Sequence, residues 1–168
     1  MKTSGMAATL VVMMVSFSGG SFAATTATLT VSVTVRSACA VTSGGGTLTF
    51  GNYDPTGANT ATPLAQVSAF QLHCSIGTAA AILLSQGMNP DAASTDAAPV
   101  RNLANGSAKL NYQLYTSPAQ ANVWDNVHGM AQMANGTPQT INIYGTIPAG
   151  QNVPPGTYTD TVTITVNY

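Results

Sequence analysis

Side chains able to do acid–base, metal or redox chemistry are scarce in this sequence. The histidines are His73 and His128, the carboxylates are Asp54, Asp91, Asp96, Asp125 and Asp160, and there is no glutamate. Metal sites and acid–base sites need such groups clustered, and no HExxH or CxxC spacing occurs. Asp125 and His128 are three residues apart, and a metal or acid–base pair there is the sharpest chemical reading on offer. They lie in Asp125-Asn126-Val127-His128-Gly129, an expected loop. His73 falls on the face opposite Phe70 and Leu72 of an alternating segment, so it is expected at the surface. A serine nucleophile needs a base and an orienting acid, and no GxSxG elbow is present. Gly44-Gly45-Gly46 is not followed by Gly-Lys-Ser/Thr and reads as a turn, not a phosphate loop. Asn105-Gly106-Ser107 and Asn135-Gly136-Thr137 match the glycosylation acceptor pattern, but Asn-Gly is also a favoured hairpin turn, and that reading is preferred. Trp124, the sole tryptophan, is expected in or over the core; a sugar-stacking platform is the alternative. The chain therefore reads as a non-enzyme, with no cofactor and no metal.

The remaining reactive groups are Cys39 and Cys74. Their redox state depends on the compartment, and the N-terminus addresses that question. Lys2 is followed by a largely apolar stretch from Met6 to Phe17, and Ser21-Phe22-Ala23 puts small residues at −3 and −1. This is the pattern of a secretion signal, residues 1–23, with cleavage expected between Ala23 and Ala24. The apolar run is short for a spanning helix, which needs ~20 such residues. In an oxidising compartment the two cysteines are expected to pair. Closing a loop of that size contributes ~4 kcal/mol in the chain-entropy model.

Residues 24–168 fit one domain and can bury a sizeable core. Charged residues make up 5% of the full chain. After the signal, Arg36, Arg101 and Lys109 stand against five aspartates, a formal charge of −2. No basic patch exists for nucleic acid. Solubility falls to Thr, Ser, Asn and Gln, which leaves sheet edges without their usual charged protection.

Helix signals are nearly absent, and the Ala-rich stretches are broken by Asp, Ser, Pro and Gly. Period-2 alternation predicts strands at Leu29–Val35, Cys39–Thr42, Gly46–Phe50, Ser68–Cys74, Ala80–Ser85, Leu110–Tyr115, Thr140–Ile147 and Thr157–Tyr168. Turn residues separate them, as in Asn52-Tyr53-Asp54-Pro55 and Pro154-Pro155-Gly156. The expected inward faces are Phe70, Leu72 and Cys74; Leu110, Tyr112 and Leu114; and Ile141, Ile143 and Gly145. Many short strands in one domain predict a β-sandwich or barrel. The first and last alternating segments stand out. If Cys39 bridges Cys74, Leu29–Val35 lies outside the covalent loop and is free to pair elsewhere.

The ordered motifs resemble the spore coat protein U domain family, which includes subunits of archaic, Csu-type chaperone–usher pili. They are Cys39-Ala40-Val41, Gly46-Thr47-Leu48-Thr49-Phe50-Gly51, Phe70-Gln71-Leu72-His73-Cys74, Leu110-Asn111-Tyr112-Gln113-Leu114-Tyr115 and Ile143-Tyr144-Gly145-Thr146-Ile147-Pro148, closed by the alternating run from Gly156 to Tyr168. The resemblance implies an all-β fold, an incomplete immunoglobulin-like β-sandwich completed by donor-strand exchange. It divides the chain into a signal peptide (1–23), an N-terminal donor strand (24–36) and a pilin-type sandwich (37–168). Leu29, Val31, Val33 and Val35 would be the donor plugs, Val162, Ile164 and Val166 the acceptor edge, and Cys39–Cys74 the disulfide. The implied partners are neighbouring pilus subunits, a periplasmic chaperone and an outer-membrane usher. The implied role is a surface pilus subunit serving attachment and biofilm formation.

Three other readings stay open. The N-terminal strand could complete its own sandwich, giving a self-contained secreted or spore-coat-like protein. Eight strands could form a small outer-membrane barrel, although aromatic residues are few for two girdles. A secreted hydrolase or lectin has only Trp124 and scattered aspartates in its favour.

Overall fold

A computed structural model describes residues 23–168. The expected signal segment therefore lies, apart from Ala23, outside the described residues. The chain divides into two units at Thr34/Val35. In the first, residues 23–34 form neither strand nor helix. Leu29, Val31 and Val33 are 87%, 83% and 88% exposed. The strand expected at Leu29–Val35 is thus not formed; alternation defines two faces, but a strand also needs a hydrogen-bonded neighbour.

The second unit is all β apart from one 3₁₀ turn, Ala58–Thr60. Its strands are β1 (Cys39–Gly44), β2 (Leu64–Cys74), β3 (Ala79–Leu84), β4 (Arg101–Asn105), β5 (Ala108–Tyr115), β6 (Met130–Met133), β7 (Gln139–Ile147) and β8 (Ile164–Asn167). They form a five-stranded sheet, β1-β2-β7-β5-β4, and a three-stranded sheet, β6-β3-β8, with every pairing antiparallel. The all-β expectation holds.

The core lies between the sheets, and the alternation fixes which residues enter it. Phe70, Leu72 and Cys74 of β2, Leu110, Tyr112 and Leu114 of β5, and Ile141 of β7 are buried, as expected from the period-2 pattern. From the other sheet come Ala80, Ile82 and Leu84 of β3. Trp124 is 1% exposed, and its indole N–H donates to Ile82 O at 2.8 Å. That bond joins a loop to the middle of β3 and satisfies the indole's polar atom inside the core.

Cys39 and Cys74 face each other in the β1–β2 register and are joined as a disulfide, with Cα atoms 4.0 Å apart. At the far end of β1, Gly44 has φ +76°, and an added Cβ would meet the backbone of Phe70 at 2.6 Å. Only glycine fits both that conformation and that approach.

Three expectations about strands need correction. β4 and β6 were not legible: Arg101–Asn105 has no clean alternation, and Met130–Met133 is four residues long. Gly46–Phe50 forms no ladder. Of Thr157–Tyr168, Ile164–Asn167 alone is a regular strand, preceded by an isolated bridge between Thr159 and Ala104.

Candidate functional site

The Asp125–His128 pair does come together. Asp125 Oδ2 lies 2.8 Å from His128 Nδ1, while Oδ1 accepts the backbone N–H groups of Val127 and His128 at 2.8 and 2.6 Å. Burial pushes the Asp125 carboxyl up, but the hydrogen bonds from His128 and Val127 outweigh it and hold it below the ordinary carboxylate value. This is a side chain closing its own turn. The His128 side chain is 73% exposed. Among the described residues, no group of three or more His, Cys, Asp or Glu is arranged to hold a metal ion. His73 is exposed on β2, as expected, with Nε2 3.2 Å from Gly136 O.

A more polar hollow of ≈ 530 Å³ lies beside this pair, lined by Trp124, Asp125, His128 and Met130; a second, apolar one lies elsewhere. An apolar groove of ≈ 420 Å³ opens along the segment 45–50 on one side and the segment 157–164 on the other. Leu84, Leu103, Leu114 and Ile143 line it from β3, β4, β5 and β7. Its flanks keep the alternation of strands without the ladders. In 47–50, Leu48 and Phe50 turn inward and Thr47 and Thr49 outward; in 157–166, Tyr158, Asp160, Val162, Ile164 and Val166 turn inward and the intervening threonines outward. The backbones of 46–50 and 160–162 make no backbone-to-backbone hydrogen bond among the described residues. β8 pairs with β3 on one side alone, and its opposite edge has no partner strand among the described residues. Val162, Ile164 and Val166 are therefore half-buried, each packed against the core.

Local chemistry holds the groove open. Gly145 of β7 leaves the room that Leu48 and Phe50 occupy; a Cβ there would overlap both side chains. The Phe50 ring meets Tyr112 edge to face, with centroids 6.2 Å apart. At the groove's floor the Tyr112 hydroxyl donates to Asp160 Oδ2 at 2.7 Å. Desolvation, with the Asp160 carboxylate next to it, pushes the Tyr112 phenol far above its ordinary pKa. Asp160 Oδ1 accepts Met88 N–H, Asn89 N–H and Asn89 Nδ2 at 2.8, 3.2 and 3.1 Å.

Behind the groove sits Arg101, one of the three basic residues after the signal segment, whose role its spacing does not reveal. Arg101 is 0% exposed. Its guanidinium donates to the carbonyls of Leu84, Ser85 and Trp124 and to Gln113 Oε1, at 3.2, 2.7, 2.7 and 2.9 Å respectively. Burial lowers its pKa. Ser85 is in turn bonded to Thr163, through Ser85 N–H to Thr163 O at 3.0 Å and Thr163 N–H to Ser85 Oγ at 2.9 Å. The arginine thus fixes the end of β3 on which the groove's C-terminal wall rests. A signal for it was present: one arginine inside an otherwise apolar, charge-poor region needs a dense set of acceptors.

Comparison with known proteins gives three kinds of match. The model of the Spore Coat Protein U domain family matches residues 25–165. "Protein U" of Myxococcus xanthus is 39% identical over 175 residues, covering 99% of this chain and 98% of that protein. Among solved structures, a chain of the CsuC–CsuE chaperone–tip adhesion subunit complex from archaic Csu pili of Acinetobacter baumannii is similar, with a TM-score of 0.57 and 22% identity over 80% of this chain. This chain spans 40% of that one's length. The P pilus rod subunit PapA has a TM-score of 0.58 at 13% identity, covering 77% of this chain and 98% of PapA. At these identities the structural matches establish the fold, an immunoglobulin-like sandwich.

Proposed function

The chain belongs to the Spore Coat Protein U domain family, and from that premise we propose that it is a structural subunit of a chaperone–usher type surface polymer, assembled by donor-strand exchange. The observation that carries this reading is the groove, flanked by two segments with strand alternation and no ladder. A strand laid along it would gain backbone hydrogen bonds, and its alternate side chains would enter the apolar gap. Residues 24–36 have the chemistry required. Leu29, Val31, Val33 and Val35 present one apolar face, all strongly exposed, separated by Thr or Ser. The segment lies outside the Cys39–Cys74 loop, so it can leave without breaking a covalent bond.

Burying those four side chains in a neighbour would contribute ~6–12 kcal/mol as an upper bound, before ordering costs. Because groove and donor are different surfaces, the contact is head-to-tail and extends into a filament. A periplasmic chaperone would cover the groove before assembly, and an outer-membrane usher would exchange it for the next subunit. Val162, Ile164 and Val166 form the acceptor edge in this scheme. Attachment and biofilm formation are the role we assign to the finished polymer.

The test uses the mature chain, residues 24–168, and a chain starting at Ser37, each co-expressed with a periplasmic chaperone. The first should give ladders resistant to SDS and sensitive to heat; the second should not polymerise, yet should accept an added peptide of residues 24–36. Ladders from the shorter chain would rule out this donor segment. A stable monomer from the longer chain, secreted without a chaperone, would favour a sandwich that completes itself.

A further inference from the structure

The C-terminal wall of the groove is held in an unusual way. Thr159 is bridged to Ala104 and Thr163 to Ser85, but between them the backbone of 160–162 has no backbone partner among the described residues. A single side chain spans that gap. Asp160 accepts four hydrogen bonds: three on Oδ1 from Met88 and Asn89, which follow the three-stranded sheet's β3, and one on Oδ2 from Tyr112 of the five-stranded sheet. Among the described residues that line the groove, Asp160 is the one carboxylate. Gly87 makes the approach possible, since its φ is +85° and a Cβ would overlap the carboxylate.

Resting on the donor-strand reading above, we infer that Asp160 is a positioning residue for strand uptake: its carboxylate ties the loop after β3 and strand β5 to the bare wall and keeps the groove at the width an incoming strand needs. Without it, residues 160–162 are held along the groove only at their flanks, Thr159 on Ala104 and Thr163 on Ser85, and Val162 loses its alignment. Most of the core does not depend on it, since Phe70, Leu72, Trp124 and Arg101 make their contacts elsewhere, and Tyr112 alone reaches it through its hydroxyl. Asparagine can replace it, because Oδ1 would keep its three donors and the new amide N–H could donate to the Tyr112 oxygen.

The mature chain is refolded and given a biotin-labelled peptide of residues 24–36; the readouts are the rate at which label becomes SDS-resistant and, separately, the urea midpoint. Asp160→Ala should take up peptide at least tenfold more slowly than wild type, and Tyr112→Phe about tenfold more slowly, the scale of one hydrogen bond to a charged group. Asp160→Asn should recover most of the rate. The urea midpoint of Tyr112→Phe should fall, because the bond already exists in the unfilled fold, but by less than the loss of uptake. If Asp160→Ala fails to fold, Tyr112→Phe and Asp160→Asn decide the matter. Uptake by Tyr112→Phe within twofold of wild type overturns the inference, as does a midpoint loss that matches the loss of uptake. If the wild-type chain neither takes up peptide nor forms SDS-resistant ladders through its own residues 24–36, the donor-strand reading itself falls, and this inference with it; if it forms ladders alone, their rate of formation is the readout in place of label.

Discussion

β2 and β7 pair at nine consecutive positions, from Leu64↔Ile147 to Leu72↔Gln139. The two segments beside the groove, 46–50 and 157–163, carry the same in–out alternation and make almost no ladder. Residue type differs too, with threonine at six of the twelve groove positions against two of the twenty in β2 and β7, yet the in–out alternation is common to both. β2 and β7 each have a partner at the correct spacing, whereas the groove segments make no backbone hydrogen bond to one another. Alternation thus specifies which face of a strand is dry, while the ladder depends on what lies beside it. One half of the molecule is fully laddered, and the other keeps alternating segments without ladders among the described residues.

Substitutions in the laddered half should act on stability, and those in the open half on uptake. Phe70→Ala, in the laddered core, should lower the unfolding free energy by about 4 kcal/mol, measured by urea denaturation. Removing the Cys39–Cys74 bond with the double alanine variant should cost about 3–4 kcal/mol for its 35-residue separation. Arg101→Met sits at the junction of the two halves. It leaves the carbonyls of Leu84, Ser85 and Trp124 without their donor, and about 3 kcal/mol of lost stability is expected, together with slower peptide uptake. Val162→Ser in the open wall should lower stability by about 1 kcal/mol, because its side chain is only half-buried. Its effect on uptake should exceed that, and an equal effect on both would erase the proposed division.

The smallest expected effect concerns acid. The Asp125 carboxyl is depressed in the fold, so its contribution to stability is present above its unfolded pKa of about 3.9 and is lost as pH falls through the lower folded value. Urea midpoints taken from pH 5 to pH 2 should fall less steeply for Asp125→Asn than for wild type.

Much of the core was legible because alternation and burial share a period. Phe70, Leu72, Leu110, Tyr112 and Leu114 could be assigned inward from spacing alone. β4 was not, since its inward group is the guanidinium of Arg101, and spacing treats a charge as a surface residue. β6 is too short for a periodic signal. Gly46–Phe50 was legible as an alternating segment and misread as a paired one. At the groove, Val162 and Ile164 were visible in the sequence, whereas Asp160 was not; Val166, expected with them, does not line it. Its partners at 88, 89 and 112 are far away along the chain, and their convergence depends on how the sheets stack.

The sequence by itself determined an all-β chain with alternating strands and a scarcity of chemical groups, because those follow from residue type and a period of two. It also placed an apolar alternating segment ahead of the first cysteine. The tertiary structure decided which alternating segments found partners, how Arg101 became the support behind the groove, and that the C-terminal wall was left without a partner strand on one edge among the described residues. Those outcomes depend on neighbours distant in sequence, whose hydrogen bonds and volumes no local pattern encodes.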